Sequence, residues 1–143
     1  MRNLLFLEGL RGLSDAAFLA LRVLIGSFLM WGTWDNIASP ERMQEFVQFL
    51  TLLQCPMPAL AAPVSVYAQF LCGALILVGL FTRWAGLVMT FNFIVAVALL
   101  TLGGGETDFR ALFPPLVMIA VPLVLATHGA GAYAADAVLS RNR

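Results

Sequence analysis

Four long stretches of nearly unbroken apolar residues, at 16–34, 64–82, 84–102 and 111–127, dominate the chain. A helix needs about 20 mostly apolar residues to cross a hydrocarbon layer of roughly 30 Å, so the pattern predicts four transmembrane helices. Between the first and second stretches the period changes. Met43, Phe46, Val47, Leu50 and Leu53 recur at spacings of three and four, with Glu41, Gln44, Glu45 and Gln48 elsewhere on the wheel. This predicts an amphipathic helix over 40–54, lying on the membrane surface. Ser39, Pro40 and Glu41 give it a capping hydroxyl, a proline at the first helical position and acid in the first turn. Pro56, Pro58 and Pro63 are expected to break it and turn the chain into the second span. Only Arg83 separates the second and third stretches, which predicts a tight antiparallel hairpin. A shorter amphipathic piece is expected over 3–13. The predicted fold is an all-α integral membrane four-helix bundle, a single membrane domain over 1–143, with the interfacial helix in its first outward loop.

Composition narrows the functional classes. Hydrophobic residues make up 61% of the chain and charged residues 11%, where a soluble domain carries about a quarter charged residues. All eight basic residues are arginines, scattered singly, which argues against a nucleic-acid partner. Cys55 and Cys72 do not form a C-x-x-C pair, and His128 stands alone, so no metal site and no catalytic set are legible. The first apolar run follows Asp15 and is not succeeded by a small-x-small cleavage pattern, so the first span is expected to stay in the mature protein. In the short loops, Arg2, Arg11, Arg83, Arg141 and Arg143 fall on one side, and Arg42 and Arg110 on the other. The positive-inside rule then places both termini in the cytoplasm. The segments 35–63 and 103–110 face outward, and both are net acidic.

The polar residues inside the spans carry the candidate chemistry. Arg22 is a charge at bilayer depth that must pair with Asp15, Asp136 or an anion, or else snorkel to lipid phosphates. Trp31, Trp34 and Asp35 close the first span, and Gln69 and Tyr67 enter the second from the same side. Two readings stand here. One is an aromatic interface belt with Gln69 bonding to a neighbouring helix. The other is a pocket between the first two spans, in which an amide and Trp faces hold a quinone or another planar lipid-soluble ligand. Asn92, in mid-span, is expected to face another helix and share its hydrogen bonds there. Pro122 is expected to kink the fourth span and free the Met118 carbonyl. His128 is expected at the wet end of that span, and Gly26, Gly73, Ala74, Gly79 and Gly86 should let helices approach closely.

The stretch Cys72-Gly-Ala-Leu-Ile-Leu-Val-Gly-Leu-Phe-Thr-Arg83 resembles the second-span signature of the DoxX family. The likeness extends to Leu21-Arg-Val-Leu-Ile-Gly26, to Trp31-Gly32 and to the closing Gly129-Ala-Gly-Ala-Tyr-Ala-Ala-Asp136. Two positions depart from the family pattern. Trp34, Asp35 and Asn36 stand where the family commonly has His near Trp31 followed by a basic residue, and Gln69 stands where it commonly has Glu. Both changes remove ionisable groups from the pocket. The resemblance implies a multi-pass protein of the bacterial inner membrane, in a group associated with membrane redox systems. Its first implication is an accessory or anchoring subunit, not catalytic on its own, which contacts other membrane subunits or itself, with no covalent cofactor and quinone as the candidate contact. The alternative is a quinone-linked oxidoreductase subunit. A small-molecule transporter fits less well, because no span carries a discontinuous helix pair or a buried chain of charges.

Overall fold

A computed structural model describes residues 8–141. A short 3-10 helix, Glu8–Leu13, leads into α1 (Ser14–Ala38), followed by α2 (Pro40–Leu52), α3 (Pro58–Val78), α4 (Thr82–Ala98), α5 (Phe109–His128) and the short α6 (Ala135–Arg141). A π-turn, Leu99–Gly103, prolongs α4. There is no strand among the described residues. Part of the amphipathic piece expected over 3–13, together with Arg2 and Arg143, lies outside them.

Four helices are long and apolar enough to span a membrane: Ser14–Ala38, Pro58–Val78, Thr82–Gly103 and Phe109–His128. Only 22–28% of each apolar window is buried within the protein, so most of the apolar surface needs a lipid solvent. The chain is therefore an all-α membrane bundle. Its two ends differ in contents. One, the terminal end, gathers the start of α1, the α3–α4 turn, the end of α5 and α6. The other, the loop end, carries α2 and the α4–α5 connection.

Ser39 divides α1 from α2. Its extended backbone (φ −129°, ψ 118°) stops the first helix, and its hydroxyl accepts from the Arg42 amide to start the second. The same hydroxyl donates to the Glu41 carboxylate at 2.7 Å and holds that carboxyl below its ordinary pKa. On α2, Leu50 and the following Leu53 are buried and Met43, Phe46 and Val47 half-buried. The stripe read from the sequence is thus the face turned to the bundle.

Two expectations change at the helix ends. Pro58 opens α3 and Pro63 lies inside it, so Pro63 does not break the chain. The amide it lacks would have served Ala59, which is exposed in the first turn. Arg83 is not the loop between the second and third spans. Gly79, at φ +77°, ends α3 with Gly79 N and Leu80 N both returning to the Leu75 carbonyl, the left-handed stop that glycine favours. Arg83 then falls in the first turn of α4.

Packing is tightest between α1 and α3 and between α4 and α5, with the α3–α4 contact joining the pairs. At the first seam, a Cβ on Gly26 would sit 2.7 Å from the Gly73 carbonyl oxygen; at the second, a Cβ on Gly86 would sit 2.5 Å from that of Pro122. Only glycine permits these approaches. Pro122 is buried at the second seam, where it leaves the Met118 carbonyl without its helical donor. Ile25, Leu29, Cys72, Ile76, Ala85, Met89, Met118 and Leu125 form the core around both seams.

Candidate functional site

Ser65 and Gln69 stand one turn apart on α3, and Asn92 faces them from the middle of α4. The Gln69 amide donates to the Ser65 hydroxyl at 3.0 Å, and that hydroxyl donates to Asn92 Oδ1 at 2.9 Å. The chain of bonds uses one Gln69 N–H and none on Asn92. The second Gln69 N–H and both N–H groups of the Asn92 amide have no protein acceptor among the described residues.

These side chains line a cavity of about 460 Å³ at the loop end. Its roof is α2 with the residue that follows it, contributing Phe46, Phe49, Leu50 and Leu53; Phe91 and Phe93 of α4 join aliphatic side chains of α3 and α4 in the wall. Cys55 lies at its edge, its thiol directed at the Pro56 carbonyl at 3.5 Å. The amides and the hydroxyl neither gain nor lose protons near neutral pH. They can fix the orientation of a carbonyl, and the phenyl rings can bracket a flat body.

The five residues read from the sequence as a pocket are not brought together. Trp31 is 83% exposed, and Trp34, Asp35 and Tyr67 are also exposed. The Trp34 ring packs 6.2 Å from that of Phe70. Helical phase explains this. The buried stripe of α1 is Arg22, Ile25, Gly26, Leu29 and Thr33, and Trp31, two residues from both Leu29 and Thr33, falls on the opposite face. Gln69 turns toward α4 instead. The sequence reading missed Ser65, Phe46, Phe49 and Phe91. The available signal was the one-turn spacing of Ser65 and Gln69, which marks a polar stripe in an apolar helix.

The terminal end handles polarity differently. Arg22 is 1% exposed, so it does not snorkel. It also forms no ion pair: the one pair among the described residues is Arg42 with Glu45. Its Nη2 donates to the Tyr133 carbonyl, while Nε and Nη1 have no partner among the described residues. A Cβ on Gly79 would collide with Nη1. Asp136 accepts from the Phe81 and Thr82 amides at 2.9 and 3.0 Å, capping α4 from the far end of the sequence. Asp15 accepts from the Ala132 amide at 2.9 Å. The Arg83 guanidinium reaches the Ala126, Thr127 and His128 carbonyls, which are the unsatisfied end of α5. His128 is exposed and stacks on Phe18 with ring centres 3.9 Å apart. An open groove of about 520 Å³ passes this cluster, yet the charged groups along it are already engaged with backbone. Among the described residues, no three His, Cys, Asp or Glu side chains are grouped to hold a metal ion.

Of the two regions, the cavity is therefore the better candidate site. In comparison with known proteins, a family model described as DoxX matches residues 17–102. That stretch takes in nearly all of α1 and the whole of α2, α3 and α4, including every residue of the hydrogen-bonded chain. No curated protein and no solved structure matches the sequence.

Proposed function

The chain belongs to the DoxX family, and from that membership we propose that it is an accessory or anchoring subunit of a redox assembly in the bacterial inner membrane, in contact with quinone and not catalytic on its own. The observation that carries this reading is the composition of the cavity wall, in which amides, a hydroxyl and phenyl rings supply binding and orientation without an acid or base suited to neutral pH. A stand-alone oxidoreductase needs a bound cofactor or a redox-active thiol pair. Here Cys55 and Cys72 are both free, one at the cavity edge and one buried in the core. Turnover belongs to a partner in this scheme, and the chain supplies a membrane body and a quinone contact.

Purification from the native membrane in mild detergent, with mass spectrometry of the protein and lipid that co-purify, tests the proposal. A larger assembly in fixed proportion is the expected result. A lone protein would overturn the accessory role. The second reading, a quinone-linked oxidoreductase subunit, is favoured by the closeness of the cavity to Cys55. It requires that an intact assembly carrying Gln69→Leu lose quinone-linked turnover without losing any subunit.

A further inference from the structure

We infer that the space between α2, α3 and α4 is a binding site for a flat, lipid-soluble molecule carrying a ring carbonyl, a quinone in kind, with Asn92 and Gln69 as the donors that recognise its oxygen. The inference deepens the quinone contact proposed above and rests on that reading for the class of ligand. The location and the recognising groups come from the cavity itself.

The argument starts from unspent donors. Asn92 lies midway along a membrane-spanning helix, where a polar group without a partner is costly and water is scarce. Its carbonyl is satisfied by Ser65, but its two N–H groups and the remaining Gln69 N–H are not directed to any described protein acceptor. All three belong to side chains that line one cavity. A site of this kind selects for an acceptor and discriminates against a molecule that brings only donors or only hydrocarbon. A carbonyl oxygen has two lone pairs and matches two converging N–H groups.

The remainder of the cavity specifies the body of that molecule. About 460 Å³ lies within the range of small-molecule pockets. Phe46 and Phe49 from the roof and Phe91 and Phe93 from the wall offer ring faces and edges for a flat head, and the aliphatic remainder of the lining suits a hydrocarbon tail. No arginine or lysine lines the cavity, so a phosphate-bearing head has no counter-charge there. This separates a quinone from a phospholipid, whose ester carbonyls have the same acceptor chemistry but come tethered to an anionic group.

The test uses the full chain, stripped of lipid and placed in nanodiscs of saturated phosphatidylcholine. Decylubiquinone is added as the probe and binding is followed by equilibrium titration. Infrared spectroscopy reads the carbonyl stretch of the bound fraction, which should fall in frequency when the oxygen is hydrogen-bonded. Asn92→Leu is expected to weaken binding at least tenfold and to return the stretch to its free value. Trp31→Leu, on the lipid-facing side of α1, should leave both unchanged. Ala61→Phe narrows the cavity from the first turn of α3, where its side chain leans toward the helix N-terminus and away from Ser65 and Gln69, and it should also reduce binding should Asn92→Leu fail to fold. Saturable binding that survives both cavity substitutions, an unshifted carbonyl stretch, or a cavity that retains phospholipid against excess quinone would each overturn the inference. Lack of a co-purifying partner bears on the accessory role alone, so the two failures are distinguishable.

Discussion

At the terminal end of the bundle carboxylates and Arg83 are spent on backbone, while Arg22 Nε and Nη1 and the Thr82 hydroxyl are sealed in without a partner among the described residues; at the loop end an amide row is held open to a cavity. Asp136, Asp15 and Arg83 each close a helix end or a turn. Asn92 and Gln69 close nothing and keep donors unspent. The contrast separates two uses of polarity in a membrane. Satisfied groups fix the arrangement of helices, whereas donors that open onto a cavity can be completed by a molecule bound there.

The most disruptive experiment removes the seam that both ends share. Gly26→Leu drives a side chain into the Gly73 carbonyl and Leu77, and should destabilise the bundle by roughly 3 kcal/mol or more. Thermal unfolding in detergent is expected to show a large fall in Tm or no folded protein. Asp136→Ala acts on the terminal end alone. It strips two amides of their acceptor and should cost about 2 kcal/mol, with Asp136→Asn recovering part of the loss. The matching change at the loop end is Asn92→Leu, and here the comparison is sharpest: stability should alter by less than about 1 kcal/mol, in either direction, because interhelical hydrogen bonds in membranes contribute little on average. Equal losses from Asp136→Ala and Asn92→Leu would abolish the distinction between the ends.

Smaller effects concern the cavity roof. Ser39→Ala removes the cap of α2 and should lower its helicity at a cost of about 1 kcal/mol, seen as faster amide exchange in Pro40–Leu52 with little change elsewhere. The smallest effect is one of pH. The Glu41 carboxyl is held below its ordinary pKa by the Ser39 hydroxyl. The unfolded chain therefore binds this proton more readily, and the contribution is present above the ordinary carboxylate pKa and is lost as pH falls through the depressed value. Protection from exchange in the first turn of α2, relative to the intrinsic rate at each pH, should fall with acidification, and Glu41→Gln should remove that loss of protection.

Much of the fold was legible in the sequence because span length is a one-dimensional property. The four apolar runs and the Ser39-Pro40-Glu41 start needed no knowledge of contacts. The candidate site was less legible because it depends on helical phase. Trp31 and Gln69 share a depth but not a face, and the buried stripe of α1 that turns Trp31 outward includes Thr33 and Arg22, which hydropathy does not mark as buried. Arg22 shows a second gap. Its sequence offered a carboxylate or the lipid surface as escape, and the structure gives it a backbone carbonyl from a residue 111 positions away. No local pattern encodes such a partner.

The capping of α4 by Asp136 also has a consequence in time. The Phe81 and Thr82 amides leave the ribosome 55 and 54 residues before the carboxylate that accepts from them. At roughly 5–20 residues per second, that is a delay of about 3 to 11 s. Through that interval the α3–α4 hairpin stands in the membrane with its turn unclosed, and the turn is sealed only when Asp136 arrives. A nascent chain stalled after α5 would thus present its four spans with the Phe81 and Thr82 amides still without their carboxylate.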